Sequence, residues 1–343
     1  MADVTILGAG IFGLSIAWSC QKKGARVQVI DPGGPGAGAS GGIVGALAPH
    51  TPDNWNDKKA FQLESLLMAQ SFWAEVAEVS GKFTGYGRLG RLQSILDERL
   101  LALSLARVES ARAIWRGEAV WEVIEADEAT FGPISPTGYL AYDTLSARIH
   151  PRRACDALAK AIVAGGGQVV TEGMHSGKVI HATGVAGLEE MSAVLGKTAG
   201  FGVKGQSALL DFSAPDIPQI FSDGIHIIPH EDGTTAIGST SEREYADPHS
   251  TDTQLDEVID RAVQAFPALH GAAVIKRWSG LRPCARARTP MLGTHPIYDD
   301  QFIANGGFKI GLGLAPKVGQ VMADLVLDGV DGIPTKFRPE ILI

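Results

Sequence analysis

Cysteine is scarce in this chain. Its 343 residues hold three, Cys20, Cys155 and Cys284. They are too few and too widely spaced for a CxxC metal site or a disulfide framework, so no metal centre is expected and a reducing cytoplasm fits best. Long apolar runs are missing as well. No uninterrupted stretch reaches the roughly 20 residues that a membrane-spanning helix needs, and the apolar segment from Val4 to Trp18 lacks the basic flank of a secretory leader. Basic charge is in deficit: 30 Lys and Arg against 38 Asp and Glu leave a net charge of −8 with no long Lys/Arg run. That balance argues against nucleic acid or an acidic membrane surface as a partner. What the chain does have is 45% hydrophobic residues, enough for a sizeable core, with 42 glycines and 18 prolines spread along its length like the turns of an α/β protein.

The richest local signal lies at the start. Val4-Thr-Ile-Leu7 reads as a buried strand, Gly8-Ala-Gly10-Ile11-Phe12-Gly13 has GxGxxG spacing, and apolar positions at Leu14, Ala17 and Trp18 open a helix that closes at Lys22-Lys-Gly24. Gly8 suits the tight turn, Gly10 lets the backbone approach a pyrophosphate, and Gly13 lets helix and strand pack closely, while the helix N-terminus supplies N–H donors to an anion. A second strand, Arg26-Val-Gln-Val-Ile30, ends in Asp31, where an acidic side chain can accept from an adenosine ribose. The unit reads as a dinucleotide-binding βαβ fold. The glycine-rich run from Pro32 to Gly42, with Ser40 and Gly41 near its end, then reads as a second phosphate-contacting loop.

Further along, apolar spacing predicts helices over 61–79, 100–115 and 151–164, with a break at 134–139. Strands are expected at 168–171, 207–212, 224–228 and 235–238, and Val179-Ile-His-Ala-Thr183-Gly184 is a strand running into a turn where a backbone can again approach a cofactor. Thr251-Asp-Thr-Gln254 has capping-box spacing ahead of an apolar helix face from Leu255 to Phe266. Near the C-terminus, Phe302-Ile-Ala-Asn-Gly-Gly307-Phe308-Lys309-Ile310-Gly311 leads through further glycines to a helix expected from Pro316 to Leu327, with the proline in its first turn. A chain that begins and ends with strand, glycines and helix N-terminus suits a flavin dinucleotide better than a mononucleotide.

Together with Trp278-Ser-Gly280-Leu-Arg282-Pro283, these segments resemble the D-amino-acid oxidase family of FAD enzymes, most of all its glycine oxidase branch. The likeness runs over nearly the whole chain and includes Gly45-Ala46-Leu47-Ala-Pro-His50, Val203-Lys-Gly205, Ile228-Pro229, Ile237-Gly238 and Gly293-Thr-His-Pro296. It implies an α/β fold: a Rossmann-like FAD domain of glutathione-reductase type, spanning 1–60, 140–200 and 275–343, and a β-rich α+β substrate domain, spanning 61–139 and 201–274. The family's carboxylate-binding arginine corresponds to Arg282, Ala46 to a position beside the flavin ring, and His50 to a histidine of the glycine oxidases. His226 and Lys309 stand where those enzymes have a tyrosine and an arginine. The segment Gly173-Met-His-Ser-Gly-Lys178 is shorter than the family's hairpin, and the stretch after Pro283, with Arg286 and Arg288, is more basic than usual. Cys284 is not aligned with the cysteine that carries covalent flavin in sarcosine oxidases, so FAD is expected to be non-covalent.

The resemblance therefore implies oxidation of the C–N bond of an amino acid or amine, with hydride passing to flavin N5, an imine as product, and peroxide when oxygen is the acceptor. Another carrier or a quinone is an equally permitted acceptor. Two related activities stay open: a 2-hydroxy-acid dehydrogenase or oxidase, for which His50 or His226 would be the base, and a tRNA-modification-type oxidoreductase acting on a secondary amine, suggested by Ala39-Ser-Gly-Gly-Ile-Val-Gly-Ala-Leu-Ala-Pro49. A flavin-binding protein without turnover is the reading from outside enzymology.

Overall fold

The computed structural model describes residues 1–342. Its first sheet has six strands, in the order Met291–Thr294, Phe302–Asn305, Lys178–His181, Val4–Leu7, Val27–Ile30 and Gln168–Val170. All neighbours run parallel except the Met291–Thr294 edge strand. The central strands are short, rich in β-branched residues and buried on both faces, as a parallel sheet covered by helices requires. Helices Ile11–Lys22, Pro151–Ala164, Asp57–Ser80 and Gly311–Ala323 share one core, in which Leu14, Ile16, Leu158, Leu66, Trp73 and Leu314 are buried.

The second sheet has eight strands, in the order Val274–Ala285, Gly200–Leu210, Thr235–Gly238, Ile225–Pro229, Gln219–Ser222, Arg91–Ser94, Tyr139–Asp143 and Trp121–Glu125. Its longest pair is antiparallel, with Val203 opposite Arg282 and Gly205 opposite Gly280. Because side chains alternate across a strand, Ala208 and Leu210 pack under helix Thr253–Ala265 while Leu209 and Trp278 point to the other face, against Ile43, Val44 and Ala46. That second face packs on the segment after the first glycine-rich loop.

Several elements differ from their sequence expectation. Residues 140–143 and 275–285 belong to strands of the eight-stranded sheet, and helix Asp57–Ser80 packs on helices Pro151–Ala164 and Gly311–Ala323, whereas the expected partition put 140–143 and 275–285 in the FAD domain and 61–80 in the substrate domain. The C-terminal helix starts at Gly311, so Pro316 sits inside it. The cap of helix Thr253–Ala265 is Asp252, whose side chain accepts from Gln254 N at 3.0 Å, not Thr251. Residues 171–177 pass over strands Val27–Ile30 and Val4–Leu7 without a hairpin: Asp31 N donates to Val170 O at one end, and Ser176 bonds to Ala2 and Thr5 at the other. No helix among the described residues is long and apolar enough to cross a membrane.

Candidate active site

The three glycines of the first turn are not equivalent. Gly8 has φ of 107°, and a Cβ there would lie 2.3 Å from the Ala182 carbonyl oxygen; at Gly13 a Cβ would lie 2.0 Å from the Gly8 oxygen. Both positions are closed by the protein's own backbone. At Gly10 an added Cβ would meet only Ser40 Oγ, at 3.3 Å. The helix Ile11–Lys22 starts there with no side-chain cap, and Ile11 N donates to Ser40 Oγ at 2.9 Å. The first-turn N–H groups that Ser40 does not take point toward the loop, the arrangement that binds anions at helix starts. The loop carrying Ser40 and Gly41 is folded across this turn: Gly36 N donates to Ala9 O at 2.8 Å, and Asp31 accepts from Ala9 N at 2.8 Å and from Gly33 N at 2.9 Å. A carboxylate has about four acceptor positions, so Asp31 keeps capacity for ribose hydroxyls while it braces the loop.

The second glycine turn rests on the first. A Cβ at Gly307 would lie 2.9 Å from the Phe12 ring, and one at Gly311 would lie 3.8 Å from Ile11. Asn305 Nδ2 donates to Gly184 O at 2.8 Å, which joins the Thr183–Gly184 turn to the same corner. Phe308 N donates to Pro283 O at 3.0 Å and so ties this corner to the strand of Arg282. Ala46 and Leu47 form a short strand opposite Arg148 and Ala147, reached through Gly45, where a Cβ would lie 1.8 Å from Ile149 O. Ala46 packs with Ile43, Val44, Ile228 and Trp278 between the two units. A glycine-turned helix start, a carboxylate with spare acceptor positions and an apolar shelf at Ala46 are the groups an extended FAD would need.

Arg282 occupies the substrate-sheet side of this line. Its guanidinium lies flat over Gly205, where a Cβ would come within 1.9–2.2 Å of its terminal atoms. It donates to Ser239 Oγ at 2.6 Å, Thr240 O at 3.3 Å and Lys204 O at 3.5 Å. All three partners are neutral, and among the described residues no carboxylate forms an ion pair with it. Burial pushes its pKa down to about 10, with Glu242 the carboxylate whose field opposes the shift; an arginine stays charged at such a value.

His226 lies opposite Gly238 across the adjoining strands, one residue from the Ser239 that holds Arg282. Its ring is 4.7 Å from that of Phe221, and its buried Nδ1 has no hydrogen-bond partner in the protein. Burial, followed by the charges of Arg91, Lys309 and Arg282, pushes its pKa down to about 3. Lys309 is exposed at the surface, with Nζ 5.7 Å from the Phe308 ring centre, and partial burial of its ammonium and then the Arg282 charge lower its pKa. The charges of Lys309 and Arg282 thus both reach His226. His50 is held by Gln62: its N–H donates to Gln62 Oε1 at 2.7 Å, its ring nitrogen meets the same oxygen, and the charges acting on it are those of Lys58 and Lys59. Arg286 and Arg288 point to solvent, and Cys284 is buried with its thiol held protonated.

Ser239, and Gly205 as the bed of the guanidinium, had no assigned role in the sequence reading. A glycine inside a strand signals close approach, which is the signal Gly205 carried; Ser239 carried none.

The sequence matches the model of a family of FAD dependent oxidoreductases, DAO, over residues 3–325. The chain belongs to this family. It is an FAD-dependent oxidoreductase. Among curated relatives, a bifunctional ThiO/ThiG protein of Synechocystis sp. is 28% identical over 356 residues, covering 95% of this chain and 52% of the relative, so the chain spans about half of that protein. A glycine oxidase of Pseudomonas putida is 28% identical over 373 residues, covering 98% of each. The crystal structure of glycine oxidase from Geobacillus kaustophilus shares the fold, with a TM-score of 0.85 at 23% identity over 98% of both chains.

Proposed function

We propose that this FAD-dependent oxidoreductase oxidises the C–N bond of an amino acid or related amine whose carboxylate docks on Arg282. The observation that carries this reading is a partly buried guanidinium gripped only by neutral oxygens. A buried cation without a counter-charge is costly, and a planar fork of donors suits a bidentate carboxylate. The glycine oxidases among the relatives are named for such a substrate.

FAD would be held without a covalent bond by Gly8, Gly10, Ile11, Phe12, Gly13, Asp31, Ser40 and Gly41 at its phosphate and ribose end. Gly45, Ala46, Leu47, Thr183, Gly184 and 307–311 would hold the rest; when bound, it supplies the acceptor for the substrate's electrons. The protein's own part is positioning. Arg282 fixes the carboxylate, Gly205 lets it lie flat, and Ser239 orients its outer nitrogen. Lys309 adds positive potential near Arg282. His226 stays uncharged and leaves the amine free of a neighbouring cation beyond those needed for the carboxylate.

This electrostatics favours an amine over a 2-hydroxy acid. Removing a hydroxyl proton needs a base with a pKa near working pH, whereas His226 is pushed down to about 3 and His50 is also lowered. The net charge of −8 weighs against a tRNA substrate. Oxygen is the proposed acceptor and the cytoplasm the proposed location. The test is aerobic turnover of an amino-acid panel with peroxide and ammonia, or a released primary amine, measured together. Equal yields support the reading. Turnover of 2-hydroxy acids without any nitrogen product contradicts it.

A further inference from the structure

Beneath Arg282, on the opposite face of the same sheet, lies a buried polar cluster that the binding of FAD and substrate does not use. Lys204 and Gln206 sit on strand Gly200–Leu210 either side of Gly205, so their side chains point away from the site while Gly205 faces it. Lys204 is 2% exposed, Gln206 0% and Glu242 8%. Lys204 Nζ lies 3.5 Å from Glu242 and 3.6 Å from Asp252. Gln206 Nε2 donates to both of these carboxylates, at 3.0 and 2.9 Å, and its Oε1 accepts from Asp252 N at 2.8 Å. Thr240 Oγ1 donates to Glu242 and accepts from Gln206 N at 2.8 Å. The backbones of Lys204 and Glu242 exchange both hydrogen bonds at 2.9 Å.

The strand Thr235–Gly238 ends its regular pairing at Gly238, opposite Ser207. The chain then bulges through Ser239 to Glu242, and this bulge is what grips Arg282, through Ser239 Oγ and Thr240 O. Lys204 supplies the remaining carbonyl. The two ends of the 240–252 segment are thus pinned to one pair of strand residues, and the pins share their backbone with the groups that orient the guanidinium.

We propose that Lys204, Gln206 and Glu242 are positioning residues for carboxylate recognition: a clasp on the back of the sheet that fixes Ser239 and Thr240 and thereby holds Arg282 flat over Gly205. This rests on Arg282 being the carboxylate site. A buried ion pair is weak evidence of net stabilisation, so its location directly behind an otherwise unpaired arginine calls for another role. The clasp also sets charge: two carboxylates face one lysine, and Glu242 is the acid whose field reaches Arg282. It restrains the guanidinium without pairing with it, which leaves the outward donors for substrate.

The test is a charge-balanced double variant, Lys204→Met with Glu242→Leu, with Gln206→Leu as a milder companion in case the double variant does not accumulate folded. Acetate is titrated into the FAD-loaded proteins and followed by the visible flavin spectrum, and kcat and KM are measured on the best amino acid. The clasp predicts an acetate Kd and a KM raised about tenfold, with kcat within about twofold and flavin content unchanged. A folded variant that binds acetate within twofold of wild type overturns the proposal. The wild type and Arg282→Ala serve as reference: if they bind acetate equally, it is the carboxylate reading that fails, whereas a large loss in Arg282→Ala beside unaffected clasp variants fails the clasp alone.

Discussion

Gly205 and Arg282 give the sharpest distinction between folding and function at the scale of single residues. The three atoms nearest a Cβ at Gly205 all belong to the Arg282 guanidinium, so Gly205→Ala is expected to displace that side chain while the strand still pairs. Its loss in kcat/KM on an amino acid should approach that of Arg282→Ala, on the order of 2–5 kcal/mol for a charge-assisted pair in a desolvated site. Near wild-type kinetics in either variant would make Arg282 a structural residue. The first glycine turn makes a parallel contrast. Gly10→Val should fold, because only Ser40 Oγ stands near, yet fail to retain FAD. Gly13→Ala should be unstable, because its Cβ would lie 2.0 Å from the Gly8 oxygen. Far-UV circular dichroism beside flavin absorbance separates the two, and a yellow Gly10→Val protein would contradict the cradle.

Among elements, the glycine turns and the helix Pro151–Ala164 were legible in the sequence because local chemistry dictates them: GxGxxG ahead of an apolar helix, and a proline at a helix start. The C-terminal helix was misread at its start because Pro316 looks like a first-turn residue, whereas Gly311-Leu-Gly313 extends the helix toward the first turn. Asp252 was passed over for Thr251 because capping-box spacing favours threonine. The carboxylate does more, since it also faces Lys204 and Gln206, which are 46 or more residues away and invisible to any local pattern. Chemical denaturation should show Thr251→Ala within about 0.5 kcal/mol of wild type and Asp252→Ala destabilised by roughly 1–2 kcal/mol. The reverse order would restore the threonine cap. His226 and Arg282 were identified by resemblance; their convergence with Ser239 is a product of strand register, which no motif states.

At the scale of the whole molecule, packing the two sheets and their helices leaves several imidazoles buried. Burial pushes His226 to about 3 and His230 and His295 to about 4, from an ordinary 6.5. Below pH 6.5 the unfolded chain takes up protons that the folded chain refuses, so stability falls as pH drops from about 6.5 toward 4, by up to about 1.4 kcal/mol per pH unit for each fully buried ring. Urea unfolding of the FAD-saturated protein at pH 7.5, 6 and 5 checks the sign; a flat or rising midpoint would contradict it. The central claim, that the protein oxidises an amine held by its carboxylate, is tested most directly by anaerobic flavin bleaching with amino acids and their decarboxylated amines, mixed in pairs with the wild-type protein. At least one amino acid should bleach the flavin about a hundredfold faster than its amine. Equal rates across every pair, or bleaching by hydroxy acids alone, would contradict the account.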